Sequence, residues 1–533
     1  MGPLSADNFT VDPNPLEAIG GQVPATIDGT FPEKYMKKKA VVTVTPELRY
    51  GDGQVTKGTG ATFQGEKVQG NDQTIPYKVG GRYTMKTSFP YNADMEKSDM
   101  YLTFSARVGN KEVAIPDVKV ATGVISTAEL YKSAMNSCIA PDSFQRVKAQ
   151  KQQANIKFLI NQANLRKSEL KNNSVKEFVS MLKKINADRE GLNLKNVEVA
   201  AYASPDGGYD FNDKLSKKRE NTTTGYVNKQ LKAAKLGDAN VDAHYTAQDW
   251  EGFKELVSAS NLQDKDVILR VLEMYKDPEE REKQIRNMSQ GFRELADGIL
   301  PELRRSRLII NYETVGRSDE EIKALLASDP MKLSADEMLY AASLEKDPAK
   351  KEEIYKKTSA YYDRDYRAYN NLAALEMSKG NYDQAQTYLN KAAAIDRNGG
   401  EIYANEGLIA LKNGNLAEAE NLIGKAANCK GFGQAMGTLY IAKGNYSGAM
   451  QTLREQDTNT AALANILVND LSGAKAALNK VKNPDGMTNY LHAIVCARQG
   501  NSFATKSYLQ EAFKLDPSLQ QLAADDLEFA NIK

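Results

Sequence analysis

Histidine and cysteine are scarce in this chain, with two histidines and three cysteines in 533 residues. Cys138, Cys429 and Cys496 are too few and too irregularly spaced for a disulfide framework or a zinc-ligand set. Cys429 and Cys496 fall where small apolar residues are called for, so they read as buried thiols. His244 and His492 lie far apart, and a two-histidine metal site or a His-dependent triad would need them to converge. A nucleophile elbow and a His-Glu-x-x-His motif are also missing. No catalytic residue, metal site or cofactor is therefore expected, and the chain reads as non-enzymatic.

Charge of one sign is lacking too. Lys+Arg is 70 against Asp+Glu 69, a net charge of +1, which argues against nucleic-acid binding. No run approaches the ~18 apolar residues of a membrane span, and mean hydropathy is −0.54. The opening Met1-Gly2-Pro3-Leu4-Ser5 has no charged segment followed by an apolar one. It reads as the start of a mature chain whose signal, with a lipidated cysteine, has been removed.

What is present divides by pattern, and the length suits about three or four domains of ~100–200 residues each. Residues 1–125 carry β signals: the β-branched run Ala40–Pro46, then Gly81–Lys86, Tyr101–Val108 and Val113–Ile115, separated by Gly and Asn turns. Asn14-Pro15-Leu16-Glu17 reads as the first strand, and the spacing predicts an antiparallel β-sandwich. The basic stretch Phe31–Lys39 reads as a solvated loop rather than a membrane-surface anchor. Residues 126–150 read as a connector with one helical turn at Thr127–Tyr131.

Residues 151–315 read as an α+β domain in β-α-β-α-β order. A strand is expected at Asn155–Ile160, followed by a helix opened by a Ser-x-x-Glu box at Ser174. The strand Val199–Tyr202, a turn at Ser204-Pro205-Asp206-Gly207-Gly208 and a helix through about Leu231 come next. A late strand, Leu303–Tyr312, closes the domain. A helical insertion at about 245–300 holds the only tryptophan, Trp250, for which burial is expected. Arg304, Arg305 and Arg307 read as guards on the rim of a sheet edge, the alternative being reinforcement of an anion site.

Strand, polar loop and helix N-terminus form a concave place where backbone N–H groups and one arginine can hold a small anionic group. Tyr202, Asn212, Leu215, Ser216 and Arg219 fall at the spacing that resembles the signature of OmpA-like peptidoglycan-binding domains. In that family an acid and the arginine grip diaminopimelate, so the resemblance implies Arg219 as the wall-ligand contact. It implies that Asn212 and Asp206 order the loop, and Ser204 stands at the acid's position. Two readings stay open for Asp206: a replacement carboxylate if the loop folds back, or a turn residue in a domain kept as scaffold. The Ala-Ser-Pro-Asp-Gly form of the loop resembles that of Bacteroidota envelope proteins.

From 316 to 533 the pattern is alanine-rich and helical. Gly380-Asn381, Gly414-Asn415, Gly444-Asn445 and Gly500-Asn501 punctuate helix pairs, with Ala385, Ala419 and Ala449 at one shared offset and Ala392, Ala426 and Ala512 at another. Asn469-Asp470-Leu471 with Ala474 is a degenerate unit. This resembles the tetratricopeptide repeat, with about five repeats, and implies a groove for a protein partner. Together these features describe a non-enzymatic cell-envelope scaffold that joins the outer membrane, and the peptidoglycan if the loop keeps its ligand, to a partner held by the repeats. The alternative is a pure protein-interaction subunit whose OmpA-like domain no longer binds peptidoglycan. Outer-membrane association on the periplasmic side is expected, with membrane attachment only through a lipid anchor absent from this chain.

Overall fold

The computed structural model describes residues 1–287 and 293–532. The chain forms two compact units, one from Met1–Asp142 together with Leu333–Lys533, the other from Ser143–Lys332. The sandwich and the repeats thus belong to one body, and the second unit is inserted between them in sequence.

The β-rich part of the first unit has two main sheets. One orders Phe9–Asp12, Gln22–Phe31 and Gly81–Pro90; the other centres on Ala40–Tyr50 and Ser98–Val108. Alternation places Ala40, Val42 and Val44 inward, where they share a core with Val23, Ile27 and Phe31 of the first sheet. The first strand is Phe9–Asp12. Leu16–Glu17, expected in that role, instead pairs in parallel with Val124–Ile125, because Pro13 and Pro15 lack the N–H groups that a continuing ladder needs. The stretch Phe31–Lys39 is only half a solvated loop. Phe31, Tyr35 and Met36 are buried, while Glu33 and the lysines face water.

The C-terminal region is six helix pairs, from Ala335–Leu344 with Pro348–Tyr361 to Gly486–Arg498 with Ser502–Leu515. The pair beyond the expected five is the first, which has Asp347-Pro348 at its turn where four of the later pairs have glycine and one has Asn469. Helices pack closely because the small residues sit at the crossings. Ala385, Ala419, Ala449, Ala474 and Thr505, each five positions after its turn residue, are fully buried. A β-carbon on Gly437 would come within 2.4 Å of Leu453. The turn residues Gly380, Gly414, Gly444 and Gly500 have φ of 74–80°, and Asn469 takes the same left-handed conformation at 61°. In each case the next N–H bonds a carbonyl of the preceding helix, as Asn415 does to Ala410 and Asp470 to Asn465. The degenerate unit is therefore a regular one with asparagine in glycine's place.

Residues 126–142, inside the stretch read as a connector, run along the first helices of these pairs. Leu130, Tyr131, Ala134 and Cys138 share the repeats' core.

The second unit has a four-stranded sheet in the order Val147–Lys157, Arg305–Val315, Leu192–Tyr202, Val241–Thr246, antiparallel except for the last pair. Helices Asn173–Ala187 and Tyr209–Ala233 share its core through Phe178, Leu182, Val227 and Leu231. The first strand ends at Lys157, so Leu159 and Ile160, expected within it, lie exposed in the following turn. The first helix is capped two residues earlier than its Ser-x-x-Glu pattern predicts: the Asn172 side chain accepts the Val175 N–H at 2.8 Å, and Ser174 donates to Asn172. Asparagine one residue before the helix outcompetes the serine. The helical insertion packs around Phe253, Val257, Ile268 and Leu303, and its residues 288–292 lie outside the described residues. Trp250 is half-buried, its ring edge-on to Phe253 at 5.6 Å.

Replacing Asn469 by glycine removes a left-handed penalty and is expected to raise stability by up to about 1 kcal/mol. Asn469→Val is expected to lower it by about 1–2 kcal/mol. The denaturant midpoint of the first unit's transition checks both.

Candidate functional site

Two places in the structure gather polar groups in the manner of a recognition site. The first is the junction of strand Leu192–Tyr202, the loop after it and helix Tyr209–Ala233, across which the residues of the sequence motif are spread. Arg219 lies 1% exposed within that helix. Its Nε donates to the Gln162 carbonyl at 3.0 Å, Nη1 to Tyr202 at 2.8 Å and Nη2 to Leu159 at 3.3 Å. The guanidinium also lies 5.0 Å from the centre of the Phe158 ring. Burial, reinforced by the charge of Arg304, lowers its pKa to about 10, so it stays cationic at neutral pH. All three of its nitrogens tie the end of one strand to the turn after another.

Asp206 folds back onto Ser204, whose hydroxyl donates to one carboxylate oxygen. The other oxygen accepts from Arg304 Nη2 at 3.1 Å, and Arg304 Nε donates to Ser204 Oγ at 3.3 Å. Asn212, 4% exposed, uses its Nδ2 to hold the carbonyls of Ser204 at 3.0 Å and Gly207 at 2.9 Å. The helical insertion pins the same loop. Gln248 donates to the Gly207 carbonyl at 2.9 Å and Arg286 to that of Asp206 at 2.7 Å. The structure therefore brings Ser204, Asp206 and Asn212 together and adds Arg304, Gln248 and Arg286 to them.

Arg304 was the residue sequence reasoning misplaced. Strand Arg305–Val315 is paired on both sides, so its first residues do not sit on a sheet edge. Antiparallel pairing of Ala201 with Ser306 sets the start of this strand beside the end of Leu192–Tyr202. Its neighbour Arg305 pairs with Asp249 at 3.3 Å, a carboxyl that burial pushes above its ordinary pKa.

The second place is the face formed by the first helices of the repeats. Asn371, Asn405 and Thr460 each stand nine positions before the left-handed turn residues Gly380, Gly414 and Asn469. Repeat geometry thus puts them on one face, and all three are at most 1% exposed. What they meet is the backbone of residues 134–140. Asn405 accepts the Cys138 N–H at 2.7 Å and donates to the Cys138 carbonyl at 2.8 Å. Asn371 does the same for Ala140 at 2.8 and 3.1 Å.

Asn370 donates to the Cys138 carbonyl at 3.0 Å and accepts from Asn405 at 3.0 Å, linking the two amides into a ladder. Thr460 donates to the Ala134 carbonyl at 2.7 Å and Arg367 to that of Asp142 at 2.9 Å. Two side-chain amides thus read alternate residues of an extended strand, each satisfying both backbone groups of one residue. The side chains presented inward are small, Ala134, Cys138 and Ala140, while Ile139 points outward. This is a peptide-binding face, and the peptide in it belongs to the chain.

Stacked helix pairs whose inner helices hold a segment of the same chain form a helical solenoid. The sequence model described as Tetratricopeptide repeat matches residues 366–398, the second of these helix pairs. No curated protein sequence matches the chain. Among solved structures, the chain is similar to a tetratricopeptide repeat protein from Parabacteroides merdae ATCC 43184, at 14% identity over 40% of this chain and 91% of that one, with a TM-score of 0.29. It is also similar to PilF of Pseudomonas aeruginosa, at 13% identity over 39% of this chain and 100% of that one, with a TM-score of 0.25. Yeast Tom70 matches at 12% identity over 68% of this chain and 90% of that one, with a TM-score of 0.25.

Asn405→Ala would leave the Cys138 N–H without a partner and its C=O with Asn370 alone, and is expected to cost about 1–3 kcal/mol. Faster proteolysis within residues 126–142 should accompany the lower unfolding midpoint. Arg219→Lys, which cannot reach three carbonyls from one ammonium, is expected to cost about 1–3 kcal/mol in the second unit. Differential scanning calorimetry on each variant checks both values.

Proposed function

We propose that this chain is a non-enzymatic protein-interaction subunit of a Gram-negative cell envelope, whose central unit is an OmpA-like domain serving as scaffold. The strand–loop–helix motif with Asn212 and Arg219, and the order of strands and helices around it, support the OmpA-like reading. The observation that carries the scaffold role is that both charges available to a wall ligand are already engaged. Arg219 is committed to three backbone carbonyls, and Asp206 is committed to Arg304 and Ser204.

The repeat face is also occupied, so a partner protein would use surfaces other than the inner helices. Outer-membrane association on the periplasmic side, through a lipid anchor outside this chain, completes the proposal. It draws support from the likeness of the Ala203-Ser204-Pro205-Asp206-Gly207 loop to Bacteroidota envelope proteins.

A second reading has one observation in its favour. Asp206 and Arg304 stand 3.1 Å apart with side chains 17% and 13% exposed, an acid and a cation side by side where a zwitterion would need them. Diaminopimelate would then be held by this pair, with Arg219 bracing the loop beneath it. Co-sedimentation with diaminopimelate-containing sacculi separates the two. The scaffold reading expects the unmodified protein to stay in the supernatant at every protein concentration tried. Pelleting that is lost in Arg304→Ala, with the fold retained by circular dichroism, would replace it with the wall-binding reading.

A further inference from the structure

Three features outside the loop site stand out: the acidic residues around Arg498, the long outer strand Val147–Lys157, and the meeting of two cysteines on the repeat face. The last carries an inference that goes beyond the proposed function and does not depend on it. We propose that Cys138 and Cys429 form a disulfide under oxidising conditions, stapling the groove-bound segment to the repeat array.

The two sulfurs converge from distant parts of the sequence. Cys138 is brought in by the Asn370, Asn371 and Asn405 ladder, which fixes the backbone on either side of it. Cys429 sits in the turn that joins helix Leu416–Lys425 to helix Phe432–Ala442. Both residues are buried, at 3% and 9% exposure, and their thiols are close enough to share a hydrogen bond. The contact is built into the backbone: a β-carbon on Gly431 would lie 2.3 Å from Cys138 Sγ, so any larger residue there would push the thiol away from its partner. An open cavity of about 490 Å³, bordered by Cys138, Ala140, Tyr355 and Gln434, lets a small oxidant approach Cys138.

With a disulfide oxidant such as oxidised glutathione, the thiolate of one of the two cysteines attacks one oxidant sulfur and expels the other as a thiolate, leaving a mixed disulfide. The second cysteine sulfur then attacks the protein sulfur of that mixed disulfide, expels the second oxidant thiolate, and the S–S bond of the protein is complete. Two protein S–H bonds are lost, their protons go to the two released thiolates, and the oxidant takes up the two electrons.

The closed ring would include the whole of Ser143–Lys332. Cys496, on helix Gly486–Arg498, has no such neighbour among the interactions described for it and stays a thiol.

The full chain, incubated with oxidised glutathione and then denatured in acid and alkylated, tests this by peptide mass mapping. The expected product joins the Cys138 and Cys429 peptides with the loss of two hydrogens, carries alkylated Cys496, and reverts with dithiothreitol. Cys496→Ser should give the same link and Cys429→Ser none, each with an unchanged circular dichroism spectrum. After oxidation, a protease cut within Ser143–Lys332 should leave two fragments that separate on a gel only under reduction. Alkylated Cys138 and Cys429 in the oxidised, folded protein would overturn the proposal. So would a lasting glutathione adduct on Cys429, or a link that uses Cys496.

Discussion

A peptide bond taken out of water must find partners for its N–H and C=O, and the first unit is arranged around meeting that demand for one short stretch of chain. Residues 135–140 lie in neither helix nor sheet, yet Cys138 and Ala140 are buried against the first helices of the repeats. Asparagine amides meet the demand, since each offers one donor and one acceptor at the spacing of a strand's own groups. Remove them and the burial of Leu130, Tyr131 and Cys138 would carry an uncompensated polar cost. The apolar contacts and the amide ladder therefore stand together.

The same logic operates in the second unit on a different scale. Arg219, Asn212, Gln248 and Arg286 each turn a potential ligand-binding donor toward a backbone carbonyl of the same chain. The loop's charge pair, Asp206 with Arg304, is half-buried and internally neutral. In both units, residue types associated with recognition of another molecule are used to recognise the chain itself.

The repeats were legible because their signals are local. A glycine at the turn and small residues five and twelve positions on are read from a single helix pair, and the degenerate unit could be found because Ala474 keeps its place when Asn469 replaces the glycine. Strand alternation in Ala40–Tyr50 and the strand–loop–helix order around Ser204 were legible for the same reason. The threading of residues 126–142 was not, because its partners lie more than two hundred positions away. The available hint was chemical: Asn370, Asn371 and Asn405 stand among alanines and leucines on first helices, where a polar group must have something to bind. Arg304, read first as an edge guard with an anion-site role as the alternative, was hard to place for a related reason. Its neighbour in space is set by antiparallel pairing across a hundred residues, while its neighbours in sequence suggested a guarded edge.

The insertion of Ser143–Lys332 between the threaded segment and the helices that grip it has a kinetic side. Its first and last strands pair along their whole length, from Val147 with Val315 to Lys157 with Arg305, so the second unit can close on itself as soon as its own residues exist. The first unit has no such freedom. On a ribosome adding ~5–20 residues per second, the sandwich and the threaded segment emerge early. Asn371, Asn405 and Thr460 emerge only after the entire inserted unit. Leu130, Tyr131 and Cys138 wait through that interval without their cover, so chain completion, rather than any local step, sets when the larger body can assemble.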